Sequence, residues 1–180
     1  MSSDTSLIYR NALGYELVMR VLYGRHYTER MRAIAHEVPH GASVVELCCG
    51  PGTLYQRYLR PRVSAYVGLD VNQRFVTMLR AQGIDARLVD LKNSEEPLPR
   101  ADVVLMQASL YHFLPQAEVI VDRMLVAALH RVIISEPIRN LTSSDHPVIG
   151  RLGRRASDPG TGGGEQRFTE ETLDALMQRC

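Results

Sequence analysis

The feature that most constrains this sequence is the alternation of short apolar segments with longer amphipathic segments from residue 43 onward. Short segments that are apolar throughout are typical of strands buried on both faces of a sheet. Amphipathic segments between such strands are typical of helical crossovers, which join parallel strands. We therefore expect an α/β fold with a doubly wound, mostly parallel sheet of about five strands and helices on both faces. The predicted strands are Ser43–Leu47, Ala65–Asp70, Ala86–Asp90, Ala101–Gln107 and Arg131–Glu136.

Capping residues indicate where the helices between the strands begin and end. Asn72 is of the type that caps a helix N-terminus, and it predicts a helix from Gln73 to Gln82 that Gly83 ends. Pro115 suits the first turn of a helix that runs to about Ala128. Thr169, followed by two acids, predicts a closing helix to about Gln178. A further helical segment is expected at Thr53–Leu59.

The first part of the chain has helical spacing of its apolar residues from Leu7 to Val38. We expect an N-terminal helical cap over residues 1–39 and a ligand-binding domain over residues 40–180. Four tyrosines of the cap could cover an organic substrate, although packing against the domain is favoured for most of them: Tyr9, Tyr15, Tyr23 and Tyr27. The long polar stretch 137–167 is interpreted as a functional lid or a disordered loop. Its arginines either pair with an acidic substrate or are solvated: Arg151, Arg154 and Arg155.

Composition excludes several classes of function. The chain of 180 residues carries 21 Lys and Arg against 20 Asp and Glu, so bulk charge gives no basis for nucleic-acid binding. No apolar segment approaches the roughly 18 residues that a membrane span needs. Three cysteines without metal spacing predict neither a disulfide framework nor a metal site. We expect a cytoplasmic protein without a membrane or nucleic-acid partner.

Polar side chains stand where the predicted strands end, which is where parallel sheets bind ligands. Four of the five are carboxylic acids, and the set is Glu46, Asp70, Asp90, Gln107 and Glu136. A single acid at such a place has about even odds of only capping the next turn. Carboxylates at nearly every strand end repel one another, so together they favour a bound cation or hydroxyl groups.

The segment after the first strand sharpens this interpretation. Gly50 and Gly52 permit a sharp turn and close approach of a ligand, but Tyr55 stands where a dinucleotide fingerprint has its third glycine. Glu46 would repel phosphate and attract a sulfonium or ammonium group. Asp70 is placed to accept hydrogen bonds from ribose hydroxyls, and Asp90 with Leu91 to hold a purine. These preferences describe S-adenosylmethionine and argue against a nicotinamide-dependent oxidoreductase.

At this point the sequence resembles the class I S-adenosylmethionine-dependent methyltransferases, which have a Rossmann-like fold. The resemblance covers about residues 40 to 178 and is carried by Val44–Thr53, Tyr66–Asp70, Arg87–Asp90, Ala101–Phe113 and Arg167–Met177. It implies that Glu46 and the loop from Gly50 to Gly52 hold the methionine end of the cofactor and that Asp70 holds the ribose. It also implies adenine contacts from Asp90 and Leu91 and a contact from Gln107. The remaining residues that we predict to contact the cofactor are Cys48 and Val71.

Two departures from the family pattern stand out. Cys48 occupies a position where the family usually has glycine, and a cysteine cannot adopt a positive φ cheaply. The family's sheet usually ends in an antiparallel hairpin after the closing helix, and this sequence stops at Cys180, where that hairpin would begin. Either the chain is shortened or the sheet ends at the fifth strand. In the second case we expect a second copy or a partner to cover the exposed edge.

Methyl transfer from a sulfonium is an in-line displacement, so the protein supplies mainly alignment and a dry site. His112 could act as a base for a hydroxyl acceptor or merely pack, and Tyr111 is an equal candidate for lining the pocket. Glu136 either faces the substrate or, as is slightly favoured, caps the turn at Pro137. We expect transfer to the oxygen, nitrogen or carbon of a small molecule. The alternative is a non-catalytic, methyltransferase-like binding subunit that serves a partner protein.

Overall fold

The computed structural model describes residues 26–138 and 167–180. Its centre is a five-stranded sheet in the order β3-β2-β1-β4-β5, in which every neighbouring pair is parallel. The strands are β1 (Ser43–Leu47), β2 (Ala65–Asp70), β3 (Ala86–Leu88), β4 (Ala101–Gln107) and β5 (Ala128–Ser135). The expected parallel α/β sheet of about five strands is confirmed.

Successive side chains of the central strands point to opposite faces and enter two separate cores. On one face Val44 and Leu105 pack against the helical residues 26–37 (α1), a π-helical turn at Tyr55–Leu59, and α2 (Gln73–Ala81). On the other face Val45 and Met106 pack against α3 (Ala117–Ala127) and α4 (Glu170–Met177). The doubly wound arrangement, with helices on both faces, is therefore also confirmed.

Capping chemistry fixes two helix starts where the sequence predicts them. The Asn72 side chain accepts a hydrogen bond from the Arg74 backbone N–H at 3.0 Å, so α2 begins at Gln73. Thr169 and Thr172 form a reciprocal capping box that starts α4 at Glu170. Pro115 does not lie in the first turn of α3 as predicted. A short 3₁₀ helix, Leu110–Phe113, precedes it, and α3 begins only at Ala117.

The two outer strands differ from their predicted bounds, each for a local reason. β3 ends at Leu88, because the Asp90 carboxylate accepts hydrogen bonds from the turn that follows and draws the backbone out of the sheet. β5 begins at Ala128 and not at Arg131. β5 is an edge strand, and its first residues include the exposed His130 and Arg131. Because these residues are polar, the apolar pattern in the sequence does not reveal where the strand begins.

The strand order places the site. The chain moves outward from β1 to β3 and then returns to the other side of β1 with β4, so it diverges at the carboxyl ends of β1 and β4. In open parallel sheets ligands bind in the crevice at such a point. Glu46 and Gln107 lie on these two strands and on the same face of the sheet.

Several sequence predictions lie outside the described residues. These are the helical cap before residue 26, with Tyr9, Tyr15 and Tyr23, and the stretch 139–166, with Arg151, Arg154 and Arg155. The division into a cap and a main domain and the covering of β5 by a partner stay predictions. In the parts of the chain that the structure does describe, no helix is long and apolar enough to cross a bilayer.

We expect Leu105→Ala to reduce the free energy of unfolding by about 2–5 kcal/mol, because Leu105 is fully buried in β4 and its truncation leaves a cavity. Urea unfolding followed by circular dichroism measures this loss. The matched control is Leu125→Ala, at a leucine that is 45% exposed on α3, for which we expect a change within about 0.5 kcal/mol. Equal losses in the two variants would contradict the assignment of the core.

Candidate functional site

A loop of left-handed backbone follows β1 and forms the floor of the crevice. Cys48, Gly50 and Gly52 have φ of 54°, 55° and 72°. The Cys49 N–H donates to the Leu69 carbonyl at 3.0 Å, and the Gly50 N–H donates to the Asp70 carboxylate at 2.7 Å. These two bonds tie the loop to the end of β2, so its shape is set by the neighbouring strand.

Cys48 adopts the backbone conformation that favours glycine. A side chain in the left-handed region costs about 1–2 kcal/mol, so Cys48 stores strain in this loop. The cysteine at this position therefore reduces stability relative to a glycine. Burial raises the pKa of the Cys48 thiol far above its ordinary value, and the carboxylates of Asp70, Glu136 and Glu46 raise it further. The neutral form of the thiol is therefore strongly favoured.

The two glycines of the loop have different steric roles. A Cβ on Gly50 would meet nothing within 4 Å, so this residue faces open space in the crevice. A Cβ on Gly52 would lie 2.7 Å from Leu79 Cδ2 in the core. The sequence analysis expected both glycines to leave room for a ligand. In the structure Gly52 leaves room for a side chain of helix α2. Gly50 is the residue that would permit a ligand in the crevice to approach the backbone closely.

A fully buried carboxylate lies directly beneath this loop. Glu46 is 0% exposed, and it accepts hydrogen bonds from the Tyr66 hydroxyl at 2.7 Å and from Gln107 Nε2 at 2.9 Å. Burial raises its pKa to about 7, the two hydrogen bonds oppose this rise, and Asp70 adds to it. The other amide atom, Gln107 Oε1, is buried with no hydrogen-bond partner in the structure. The network therefore joins three strands and leaves one acceptor unsatisfied.

Asp70, the last residue of β2, organises the mouth of the crevice. Its two oxygens accept from the backbone N–H groups of Gly50 at 2.7 Å and Asn72 at 2.8 Å. Burial raises its pKa, and the backbone hydrogen bonds partly offset the rise. Each carboxylate oxygen has a second lone pair, so both can also accept from a ligand hydroxyl. Val71, the next residue, presents an apolar side chain that is 49% exposed.

The side chains of Asp90 and Leu91 do not join the hydrogen-bonded set formed by Glu46, Gln107 and Asp70. The Asp90 side chain is exposed and accepts hydrogen bonds from the Lys92 N–H at 3.0 Å and Asn93 Nδ2 at 2.7 Å. Leu91 is only 6% exposed and packs in the core of the α3 face. The structure thus gives Asp90 the turn-capping role that was its alternative interpretation. Contacts of these two residues with a purine stay predictions.

Glu136 lies just beyond β5 and shapes the turn after β4. Its Oε1 accepts hydrogen bonds from the backbone N–H groups of Ser109 and Leu110, both at 2.6 Å. It therefore caps the 3₁₀ helix that carries Tyr111 and His112, and not the Pro137 turn favoured from sequence. Burial raises the pKa of Glu136 to about 7, against the opposing effects of its hydrogen bonds and of two arginines.

The sequence analysis missed residues that the fold brings to this site. Tyr66 is the donor to Glu46, and its ring stacks on Tyr55 with centroids 3.9 Å apart. Arg167 lies over the ring of Tyr111, with Cζ 3.4 Å from the centroid, and Tyr111 and His112 have centroids 3.9 Å apart. The alternation of side chains along β2 was a usable signal for Tyr66, because it places this residue on the same face as Gly68, the register partner of Glu46. Nothing local in the sequence signals Arg167.

Within residues 26–138 and 167–180, no group of three or more His, Cys, Asp or Glu side chains is arranged to hold a metal ion. The acids instead surround a loop with an open glycine, so the arrangement suits an organic cation that carries hydroxyl groups.

Comparisons with known proteins concern the overall fold and part of the sequence. No protein-family model matches the chain. A trans-aconitate 2-methyltransferase of Mycolicibacterium gilvum (strain PYR-GCK) is 36% identical over 97 residues, which are 52% of this chain and 35% of that protein. A SAM-dependent methyltransferase from Thermotoga maritima superposes with a TM-score of 0.65 at 16% identity, over 96% of this chain and 77% of that chain. The N-methyltransferase NodS from Bradyrhizobium japonicum WM9, solved with S-adenosyl-L-homocysteine, gives a TM-score of 0.60 at 13% identity, over 87% and 74% of the two chains.

The chain has the fold of the class I S-adenosylmethionine-dependent methyltransferases. The resemblance noted in the sequence is thus confirmed at the level of the fold. The chain spans about a third of the length of the curated relative that it matches, 35% of that protein.

We expect Glu46→Gln to remove part of the pH dependence of stability. Because the pKa of Glu46 is raised from 4.5 to about 7, the folded state binds the extra proton between these pH values, and stability falls as the pH rises through that window. The variant should unfold like the wild type at pH 4 and be more stable at pH 8, as measured by urea unfolding across the range.

The control for this measurement is Glu95→Gln, at an exposed carboxyl, which should keep the wild-type slope. A slope that is unchanged in Glu46→Gln would contradict the buried, proton-binding state of Glu46. Glu136 has a similar raised pKa, so a smaller slope of the same sign should remain in the Glu46→Gln variant.

Proposed function

We propose that the protein is an S-adenosylmethionine-dependent methyltransferase that acts on a small-molecule acceptor. The observation that carries the proposal is the buried Glu46 carboxylate beneath a left-handed loop whose Gly50 faces open space. A carboxylate at this place attracts a cation and repels a diphosphate, and the open glycine admits close backbone contact.

The residues of the crevice fit the cofactor. Gln107 Oε1 is a buried acceptor with no partner in the structure, and it lies beside the Glu46 carboxylate, where an ammonium group would supply the missing donors. The second lone pairs of the Asp70 oxygens suit ribose hydroxyls. The exposed Val71 side chain next to Asp70 suits an apolar base face. Glu46, Gln107, Gly50, Asp70 and Val71 would therefore hold the cofactor.

The cofactor, when bound, supplies an electrophilic methyl group that needs no activation by the protein. The residues of this chain position the two reactants and exclude water from them. Glu46 and Gln107 would hold the charged end of the cofactor. Asp70 anchors the loop through the Gly50 N–H and would also hold the ribose. The turn that Glu136 caps would place Tyr111 and His112 beside the acceptor. His112 or Tyr111 would contact the acceptor.

The small-molecule acceptor is supported by the curated relative, whose name specifies trans-aconitate, a small organic acid. The near balance of 21 basic and 20 acidic residues supports the same choice over a nucleic acid.

Two rival functions lose support from particular contacts. Tyr55 stands where a dinucleotide-binding loop has its third glycine, and its ring stacks on Tyr66, so the close helix–strand packing that this glycine permits is absent here. A subunit that has lost its cofactor is disfavoured because Gly50 still faces open space and Gln107 Oε1 is a buried acceptor with no partner in the structure.

We expect Gly50→Ala to lower the affinity for S-adenosylmethionine by about tenfold or more, because its Cβ enters the space from which the ligand approaches the loop. Isothermal titration calorimetry of the full chain measures the affinity. The matched control is Gly41→Ala: Gly41 has a φ of 79°, also faces open space, and lies before β1, at the opposite end of the strand.

Both variants place an alanine in the left-handed region and should lose similar stability, about 1 kcal/mol or somewhat more. Gly41→Ala should bind S-adenosylmethionine like the wild type. If the wild-type chain shows no binding, or if the two variants lose affinity equally, the proposed site is wrong.

A further inference from the structure

Tyr66 reaches Glu46 through a gap in the side chains of β2. Glu46 is in register with Gly68, and Tyr66 lies two residues earlier on the same face of that strand. Because Gly68 has no side chain, the Tyr66 hydroxyl extends along the sheet and donates to Glu46 Oε2 at 2.7 Å. A Cβ on Gly68 would lie 3.0 Å from that hydroxyl and 2.8 Å from Cys49 Sγ. The sequence of β2 thus keeps open the path that this hydrogen bond occupies.

The ring of Tyr66 is held so that its hydroxyl stays on Glu46. Tyr66 is 7% exposed and packs in the core of the α1 face. Its ring stacks on that of Tyr55, with centroids 3.9 Å apart and an angle of 18° between the planes. Tyr55 begins the π-helical turn. Tyr66 therefore fixes one oxygen of the Glu46 carboxylate, and Gln107 Nε2 fixes the other at 2.9 Å.

The hydrogen bonds around Glu46 suit a carboxylate better than a carboxylic acid. The Tyr66 hydroxyl and Gln107 Nε2 each donate, one to each carboxyl oxygen. A protonated Glu46 would carry a donor of its own on one of these oxygens, where it would face another donor. Burial acts in the opposite sense, since it raises the pKa of Glu46 to about 7, and the bonds from Gln107 and Tyr66 oppose that rise. The Tyr66 bond therefore favours the charged form, which attracts a cation.

Other titratable groups surround Glu46 from the loop, from β2 and from the helices on this face. Asp70, at the end of β2, adds to the rise of the Glu46 pKa by charge repulsion. The thiols of Cys48 and Cys49 are close enough to interact with the Glu46 charge, and burial raises the pKa of both thiols and of Tyr66 well above its ordinary value. The helix α1 and the π-helical turn contribute Tyr27, Met31, Ile34, Ala35, Val38, Tyr55 and Tyr58 to this core. A comparison of variants that leave these groups in place therefore isolates the Tyr66 hydroxyl.

We propose that Tyr66 is a positioning residue that holds the Glu46 carboxylate in the orientation and charge state that bind the cationic end of the cofactor, an inference that rests on the proposed function. Tyr66 acts through Glu46 and not by contact with the cofactor. Without the hydroxyl, more of Glu46 is protonated at a given pH, so the cation binds less well until the pH is high enough to ionise the carboxyl in both proteins. The inference therefore predicts a loss of affinity that depends on pH, whereas a merely structural role predicts a loss that does not.

The test is isothermal titration calorimetry of the full chain with S-adenosylmethionine between about pH 6 and pH 9. Tyr66→Phe removes the hydroxyl and keeps the ring. The matched control is Tyr55→Phe, which removes a hydroxyl from the ring that stacks on Tyr66. The measured quantity is the ratio of the Kd of each variant to that of the wild type, in which the titration of the ligand itself cancels. Glu46→Gln, alone and combined with Tyr66→Phe, shows whether the hydroxyl acts through Glu46.

We expect the Tyr66→Phe ratio to be about tenfold near pH 6 and to fall towards one near pH 9, where Glu46 is ionised in both proteins. A ratio near one at the upper end of the range also shows that the variant is folded. Tyr55→Phe should give a ratio near one throughout. In the Glu46→Gln background, Tyr66→Phe should change the Kd by less than about twofold at every pH.

A Tyr66→Phe ratio that stays constant across the pH range would overturn the inference and leave the proposed function standing. The same conclusion would follow from an equal pH-dependent loss in Tyr55→Phe, or from a pH-dependent loss that persists in the Glu46→Gln background. Absence of S-adenosylmethionine binding by the wild type at every pH would instead remove the proposed site, and the inference with it.

Discussion

The buried carboxylate of Glu46 is the interaction on which the rest of the site depends. It lies on the central strand β1, it is fully enclosed, and donors from β2 and β4 satisfy it. Burying an acid costs free energy, and the protein reduces the cost by keeping Glu46 partly protonated at neutral pH. An organic cation bound above it would restore the charged form. In the proposed site, the binding of a cation would therefore be coupled to the release of a proton from Glu46.

The loop above Glu46 carries a second energetic cost, which is backbone strain at Cys48. Asp70 anchors the loop through the Gly50 N–H, and this contact holds Cys48 in a strained conformation that a glycine would adopt without strain. Cys48 in turn brings the loop against Ser109, whose backbone N–H Glu136 holds. The loop, the turn after β4 and the end of β5 thus form one continuous set of contacts. In the proposed function this continuity would place the acceptor next to the cofactor.

The sequence predicted those parts of the fold that local patterns determine. The bounds of β1, β2 and β4 follow from their apolar sequences, because these strands are buried on both faces. β3 and β5 were misplaced, since a side-chain turn at Asp90 ends one and the other begins with the polar residues of an edge. Glu46, Asp70 and Gln107 could be predicted as candidate site residues because they stand at strand ends, where parallel sheets bind ligands. The contacts of Tyr66 and Arg167 depend on tertiary packing, which no local spacing in the sequence predicts.

The measurement that tests this account most directly is the number of protons released when S-adenosylmethionine binds at pH 7. Calorimetric titrations in buffers of different ionisation enthalpy give that number. Because Glu46 has a pKa of about 7 and a bound cation favours its charged form, the wild type should release up to about half a proton, and Glu46→Gln should release almost none. Binding without proton release, or equal release by the two proteins, would contradict a cation site built on this carboxylate.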